Sequence, residues 1–433
     1  MDWKQRVISP DDAARLIKSG HRIFFTGNCS IPQVFIRALI GRYQELQNVE
    51  VVQLLDFGPQ YINPDIAEHI RINCLFIGAN TRAAVNDGFA DFTPVFLSEI
   101  PNLFRSGRLV LDVAVIQVSP PDAHGYCSFG VEVGVTKAAA ESAGIVIAEI
   151  NPHMPRTLGD SFIHVSRIQH FIEVEYTLPE VAPHPTSEVQ SRIAGHIADL
   201  IPDGATLQTG IGGLPDAVLR RLTGHQHLGI HTELFSDGVM EMIEAGVITG
   251  ARKTLHRGKV VAGFVIGTNK LYRYIHDNPI VELHPTEYVN DPFIIMQNER
   301  MVSINSALEV DITGQVCADS IGGRFYSGVG GQLDFVRGAS RSKGGMSFIA
   351  LPATAKNDTL SRVVPALKPG AGVTTSRNDV RMIVTEYGVA DLHGRTINER
   401  VHALVNIAHP AFRDDLLAYA REQNYLPKVF AFA

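Results

Sequence analysis

Nowhere in its 433 residues does the chain approach the roughly 20 uninterrupted apolar residues that a membrane helix needs. It lacks a basic excess as well. Lys and Arg number 38 against 45 Asp and Glu, a formal charge of −7, which removes the usual footprint of a nucleic-acid binder. The opening MDWKQRVISPDDAARL has no apolar signal-peptide core and reads as the start of a folded helix. Cysteine is scarce: Cys29, Cys74, Cys127 and Cys317 lie far apart, with no CxxC pair and no metal-ligand spacing, so reduced thiols in a cytoplasmic protein are expected. The 17 histidines include no HExxH. His225, His227 and His231 cluster at a turn without a carboxylate at zincin spacing, and a surface or core-edge role is expected for them. No G-x-S-x-G elbow offers a serine nucleophile.

What is present is ordinary globular composition, 45% hydrophobic and 19% charged, in a chain too long for one hydrophobic core. Its order of elements occurs twice. Ser9-Pro10-Asp11-Asp12 offers an N-cap, a first-turn proline and acidic residues before a short helix, then HRIFFTG reads as a buried strand and QVFIRALIGRY as a helix. Downstream, Ser187 is placed to cap a helix with Ile193, Ile197 and Leu200 on one side; ATLQTG reads as a strand and PDAVLRRL as a helix. Thr26-Gly27 and Thr209-Gly210, Pro32 and Pro215, Arg37 and Arg220, and Leu39 and Leu222 all stand 183 residues apart. Asp122-x-x-Gly125 and Asp311-x-x-Gly314 stand 189 apart. One such match is chance; four at a fixed separation indicate duplication. The proline-rich stretch LPEVAPHPTS, 178–187, breaks helix and sheet alike, so domains of 1–182 and 183–433 are expected. Strand–helix alternation in both implies parallel sheets covered by helices. Within the second, 250–300 has a different texture. KVVAGFVIGTNKLYRYI reads as strands, and an inserted α+β subdomain is expected there.

Two features bear on chemistry. TGIGGLP, 209–215, sets three glycines between a strand and a helix, where backbone can approach a ligand and the helix N-terminus favours negative charge. It is not a dinucleotide fingerprint, because Pro215 stands where the third glycine would be. SGVGG, 327–331, and Lys343-Gly344-Gly345 are similar glycine clusters. The second feature is HTELFSDG, 231–238, which puts Glu233 at the carboxyl end of a parallel strand, the edge where open α/β folds bind ligands. A helix-cap charge, a buried ion pair and a working nucleophile all remain open for it. Asp237 is the more natural cap for the following helix.

HTELFSDGVMEMIEAG, SPPDAHGYCSFG, EINPHMPRTLGDSFIHVS, SINSALEVDITGQ, SGVGGQLDF and VTEYGVADLHGRT together resemble the acetyl-CoA hydrolase/transferase family, nearest its 4-hydroxybutyrate and butyrate:acetate CoA-transferases. The resemblance implies an α/β fold of two tandem CoA-transferase-type parallel-sheet domains. It implies that Glu233 is the nucleophile and that Asn290, in VNDP, polarises the glutamyl carbonyl. It further implies a CoA site at Gly210, Ile211, Gly212, Gly213 and Leu214, with Leu308, Gly331 and Lys343. The backbone amides of Ile211 and Gly331 would bind an oxyanion or the acceptor carboxylate. No metal and no permanently bound cofactor is implied: coenzyme A is substrate and covalent intermediate. The partners expected are an acyl-CoA, a short-chain carboxylate and a second copy in a homodimer, with neither nucleic acid nor membrane. An acyl-CoA hydrolase would use water in place of the acceptor. A non-catalytic CoA or sugar-phosphate sensor would need no carboxylate at 233 and would usually carry a DNA-binding module.

Overall fold

The structure, a computed structural model, describes residues 3–55, 57–183, 185–210 and 212–427. The chain divides into two compact units. One gathers residues 1–182, 232–240 and 259–291; the other gathers 183–231, 241–258 and 292–433.

In the first unit seven parallel strands form a sheet, in the order His170–Glu173, Ile145–Ile150, Val113–Val118, Arg22–Phe25, Val49–Gln53, Ile70–Cys74, Ala90–Phe92. Parallel neighbours cannot be joined by a tight turn, so helices such as Gln33–Ile40 and Thr136–Ser142 carry the chain back across the sheet. Covering both faces buries the central strands completely, and Val113–Val118 is accordingly an unbroken buried run. Phe25 of the sheet meets Phe35 of its helix edge-on, ring centroids 5.9 Å apart, inside a core that also holds Val51, Ile72, Val115 and Ile147. This unit also contains the parallel strands Val260–Val265 and Val281–Leu283, with the helix Asn269–Ile275 between them.

The second unit repeats the central order. Met382–Thr385, Met346–Ala350, Met301–Ser306 and Thr206–Thr209 run parallel, followed by the first residues of Gly229–Phe235. Gly388–Asp391 adds an antiparallel edge. Thr206–Thr209 lies between Gly229–Phe235 and Met301–Ser306 just as Arg22–Phe25 lies between Val49–Gln53 and Val113–Val118. The constant separation of 183 residues therefore reflects a repeated α/β sheet order.

Three local readings change. NKLYRYI, read as strand, is the helix Asn269–Ile275: extended Thr268 precedes it, and Leu271, Tyr272 and Ile275 are buried at helical spacing. Ser187 does cap Glu188–Ala198, through a reciprocal capping box with Gln190, but Leu200 lies beyond that helix and is exposed. Asp237 begins the helix Asp237–Glu244 without capping it; its carboxylate instead accepts hydrogen bonds from the Thr268 N–H at 2.9 Å and the Thr268 hydroxyl at 2.5 Å. Among the described residues no helix is long and apolar enough to cross a membrane. All four cysteines are buried, and none is in a disulfide.

Candidate active site

The strand Gly229–Phe235 is buried except at Glu233, which is partly exposed. Val260–Val265 lies beside it, and the Ile266 N–H donates to the Phe235 carbonyl at 3.2 Å. A Cβ at Gly263 would sit 3.2 Å from the Glu233 carbonyl oxygen, so glycine there lets the neighbouring backbone pass close to the carboxylate-bearing residue.

Asn290 caps the C-terminus of the short helix Thr286–Val289 and is wholly buried. Its N–H donates to the Thr286 carbonyl at 2.8 Å, and its side-chain Nδ2 donates to Glu233 Oε2 at 2.9 Å. An ionised carboxylate can only accept, which sets the amide with its NH2 toward Glu233. The Asn290 Oδ1 on the other side is buried and finds no partner among the described residues. The helix is held from two directions. Its first N–H, from Thr286, donates to the Gly134 carbonyl at 3.1 Å. Glu287 takes both Nε (3.2 Å) and Nη2 (2.6 Å) of Arg105, a forked pairing that fixes orientation as well as distance.

Burial raises the pKa of Glu233 above the ordinary carboxylate range, and the hydrogen bond from Asn290 offsets this in part. Of the three roles open for Glu233, two find no support. It caps no helix, being inside a strand, and it has no ion pair among the described residues. What is left is a poorly solvated carboxylate with one oriented donor, a suitable nucleophile.

The glycine-rich segments lie in the second unit. Gly210 follows the strand Thr206–Thr209 and donates its N–H to the Ile304 carbonyl at 3.3 Å. Gly212 has φ 117°, a conformation that L side chains rarely adopt, and opens the helix Gly213–Arg221 with no side-chain cap. Gly213 abuts the Gln190 amide, and Leu214 is buried. Ile211, expected to supply a backbone amide, lies outside the described residues. Gly331 is buried and opens a second helix, Gln332–Arg341, also without a side-chain cap. Leu308 follows the strand Met301–Ser306, partly exposed, with its N–H on the Cys317 carbonyl at 2.9 Å. Uncapped helix N-termini present backbone donors suited to an anion. The first unit's equivalent is closed. There the N-terminus of Gln33–Ile40 is filled by the chain's own Glu149, which accepts from the Phe35 N–H at 2.6 Å and the Tyr176 hydroxyl at 2.5 Å.

Lys343 does not join this set. It follows the C-terminus of Gln332–Arg341, about 15 Å of helix away from Gly331. Its carbonyl accepts from the Arg300 N–H just before the strand Met301–Ser306, so it sits at the edge of the sheet opposite Gly210. Its exposed ammonium pairs with Glu299 at 3.1 Å. Gly263, Arg105 and Glu287 were not singled out from the sequence. Only Gly263 left a trace, a glycine inside the apolar strand VVAGFV.

Comparison with known proteins bears on this arrangement. Residues 1–182 match the model of the acetyl-CoA hydrolase/transferase N-terminal domain, and residues 267–420 match that of the C-terminal domain. The chain is 50% identical over 422 residues to the 4-hydroxybutyrate coenzyme A transferase of Clostridium kluyveri, covering 96% of this chain and 98% of the other. Among solved structures it is similar to a 4-hydroxybutyrate CoA-transferase from Porphyromonas gingivalis (TM-score 0.85, 44% identity, 97% of this chain and 98% of that one). It is also similar to RipA from Yersinia pestis (TM-score 0.93, 35% identity, 98% of this chain and 100% of that one).

Proposed function

The chain belongs to the acetyl-CoA hydrolase/transferase family and is an enzyme of the CoA-transferase type, and we propose that it moves CoA through a thioester formed on Glu233. The donor is a short-chain acyl-CoA and the acceptor a free carboxylate of the acetate, butyrate or 4-hydroxybutyrate class, as the names of its relatives suggest. The observation that carries this reading is the hydrogen bond from Asn290 Nδ2 to Glu233 Oε2.

The Glu233 carboxylate attacks the thioester carbonyl and expels CoA thiolate, leaving an acyl-glutamyl anhydride. The thiolate then attacks the glutamyl carbonyl of that anhydride, forming glutamyl-CoA and releasing the first acid as its carboxylate. An incoming carboxylate reverses both steps and leaves as the new acyl-CoA. A glutamate suits this exchange because its anhydride and its thioester are both activated, so the thioester bond energy is retained. Each attack generates a tetrahedral oxyanion, and Asn290 Nδ2 is placed to stabilise the one that forms at the glutamyl carbon. The open helix N-termini at Gly212 and Gly331, in the second unit, present backbone donors of the kind that suit the anionic parts of CoA.

Substituting Glu233→Asp tests the nucleophile against the hydrolase reading. One methylene less withdraws the carboxylate from in-line attack, and the space left admits a water that it can activate. Butyryl-CoA formation and free CoA release, both assayed from acetyl-CoA with and without added butyrate, should show transfer collapsing while slow hydrolysis persists or appears. Glu233→Ala should lose both. An Asp variant that transfers at the wild-type rate would exclude Glu233 as nucleophile.

A further inference from the structure

Outside the residues used above, the first unit buries a further carboxyl group, that of Glu132, within SFGVEVG. Its side chain is 3% exposed. It accepts a hydrogen bond from Asn28 Nδ2 and another from the Val135 N–H. Asn28 is itself held on both backbone sides: its N–H donates to the Leu55 carbonyl at 2.6 Å, and its carbonyl accepts from the Phe57 N–H at 3.1 Å. Its φ is 52°, a left-handed conformation that the surrounding bonds must maintain.

The backbone around Glu132 reaches both elements that frame Glu233. Glu132 forms an antiparallel bridge with Phe264. The Val265 N–H donates to the Val131 carbonyl at 2.8 Å, while the N–H groups of Val133 and Gly134 converge on the Gly263 carbonyl at 3.3 and 3.1 Å. Gly263 is the residue that passes close to the Glu233 backbone. The Gly134 carbonyl in turn takes the Thr286 N–H, at the start of the helix that ends in Asn290. One turn thus holds the strand beside the nucleophile and the helix that carries its donor. The Glu132 side chain folds over that turn: a Cβ at Gly134 would lie 2.5 Å from Glu132 Oε1 and 3.5 Å from Thr286 Cγ2.

We propose that Glu132 is a positioning residue for the Glu233–Asn290 pair, fixing the turn 131–134 between the Asn28 loop, Gly263 and Thr286. The inference rests on Glu233 being the nucleophile. Both partners donate to this carboxyl and so favour its charge, which burial opposes. Burial raises its pKa to about 8, against the smaller opposing effects of Asn28 and Val135. The titratable group facing it from the Asn28 loop is the Cys29 thiol, itself buried and pushed up to about 12, so it is neutral too. Tyr272, from the helix Asn269–Ile275, hydrogen-bonds Cys29 and is likewise raised. As pH rises through about 8, Glu132 ionises in a site with little to solvate the charge, and the turn loosens.

The test compares wild type, Glu132→Gln and Glu132→Ala in transfer from acetyl-CoA to butyrate, with kcat and KM measured from pH 6 to 9. Glu132→Ala should lower kcat at least tenfold per folded molecule, with KM for acetyl-CoA within twofold. Glu132→Gln, which keeps the shape and cannot ionise, should retain kcat within twofold at pH 7 and lack the wild type's decline above pH 8. A packing role alone would alter thermal stability without moving that limb. The proposal is overturned if Glu132→Ala keeps wild-type kcat, if its KM rises while kcat holds, or if Glu132→Gln keeps the alkaline decline. A Gln variant that fails to fold would also overturn it, since a neutral side chain is what the site should accept. Should the Ala variant not fold, the Gln profile decides alone. None of these results bears on the nucleophile, which Glu233→Ala tests separately.

Discussion

Asn290 Nδ2 lies 2.9 Å from Glu233 Oε2, a contact between residues 57 positions apart in sequence. The donor arrives on a short helix whose other end is fastened to Gly134 and Arg105, so the contact is set by the fold and not by a flexible side chain.

Removing that donor should be costly. Asn290→Ala is expected to lower kcat by about 10²–10³, on the order of 3 kcal/mol of oxyanion stabilisation, with KM for acyl-CoA little changed. The same hydrogen bond is what lowers the Glu233 pKa against the effect of burial. Its loss should therefore move the acidic limb of the kcat–pH profile to higher pH. An unshifted limb with kcat near wild type would show that the contact is not used in the reaction.

Part of the fold around this candidate site was legible in the sequence. The paired Thr-Gly steps at 26–27 and 209–210 mark loops that follow equivalent strands, because a strand–turn–helix unit constrains its residues locally. Glu233 stands out since a carboxylate is conspicuous in an otherwise buried strand. Long-range pairings left no such mark. Arg105 and Glu287 are 182 residues apart, and Phe35 and Glu149 are 114 apart. The place of Lys343 was hidden for a related reason: it lies near SGVGG in sequence, but the helix Gln332–Arg341 carries it to the other edge of the sheet.

Lys343→Ala is consequently expected to change KM for acyl-CoA by less than twofold. Its partner is Glu299 on an exposed surface, where an ion pair contributes about 0–1 kcal/mol to stability. Steady-state kinetics over a range of acetyl-CoA concentrations checks this. A KM rise of tenfold or more would return Lys343 to the CoA site.

Glu149 gives a pH dependence of stability. Burial raises its pKa from the ordinary 4.5 to about 7, so between those values the folded chain holds a proton that the unfolded chain has released. Its contribution is intact below pH 4.5 and is lost as pH rises through about 7. Glu149→Gln should flatten the fall in unfolding free energy over that window by up to about 1.4 kcal/mol per pH unit. Denaturant titrations at pH 5, 6 and 7 measure the slope, and equal slopes in both proteins would contradict the assignment.

The covalent intermediate is the central claim, and mass spectrometry of the protein after incubation with acetyl-CoA, with no acceptor present, tests it most directly. The account predicts an adduct of CoA less one water, located by peptide mapping at Glu233 and discharged by added butyrate. Borohydride should reduce it and inactivate the enzyme. An adduct on Cys29, Cys74, Cys127 or Cys317, or an unmodified chain under conditions that support transfer, would contradict it.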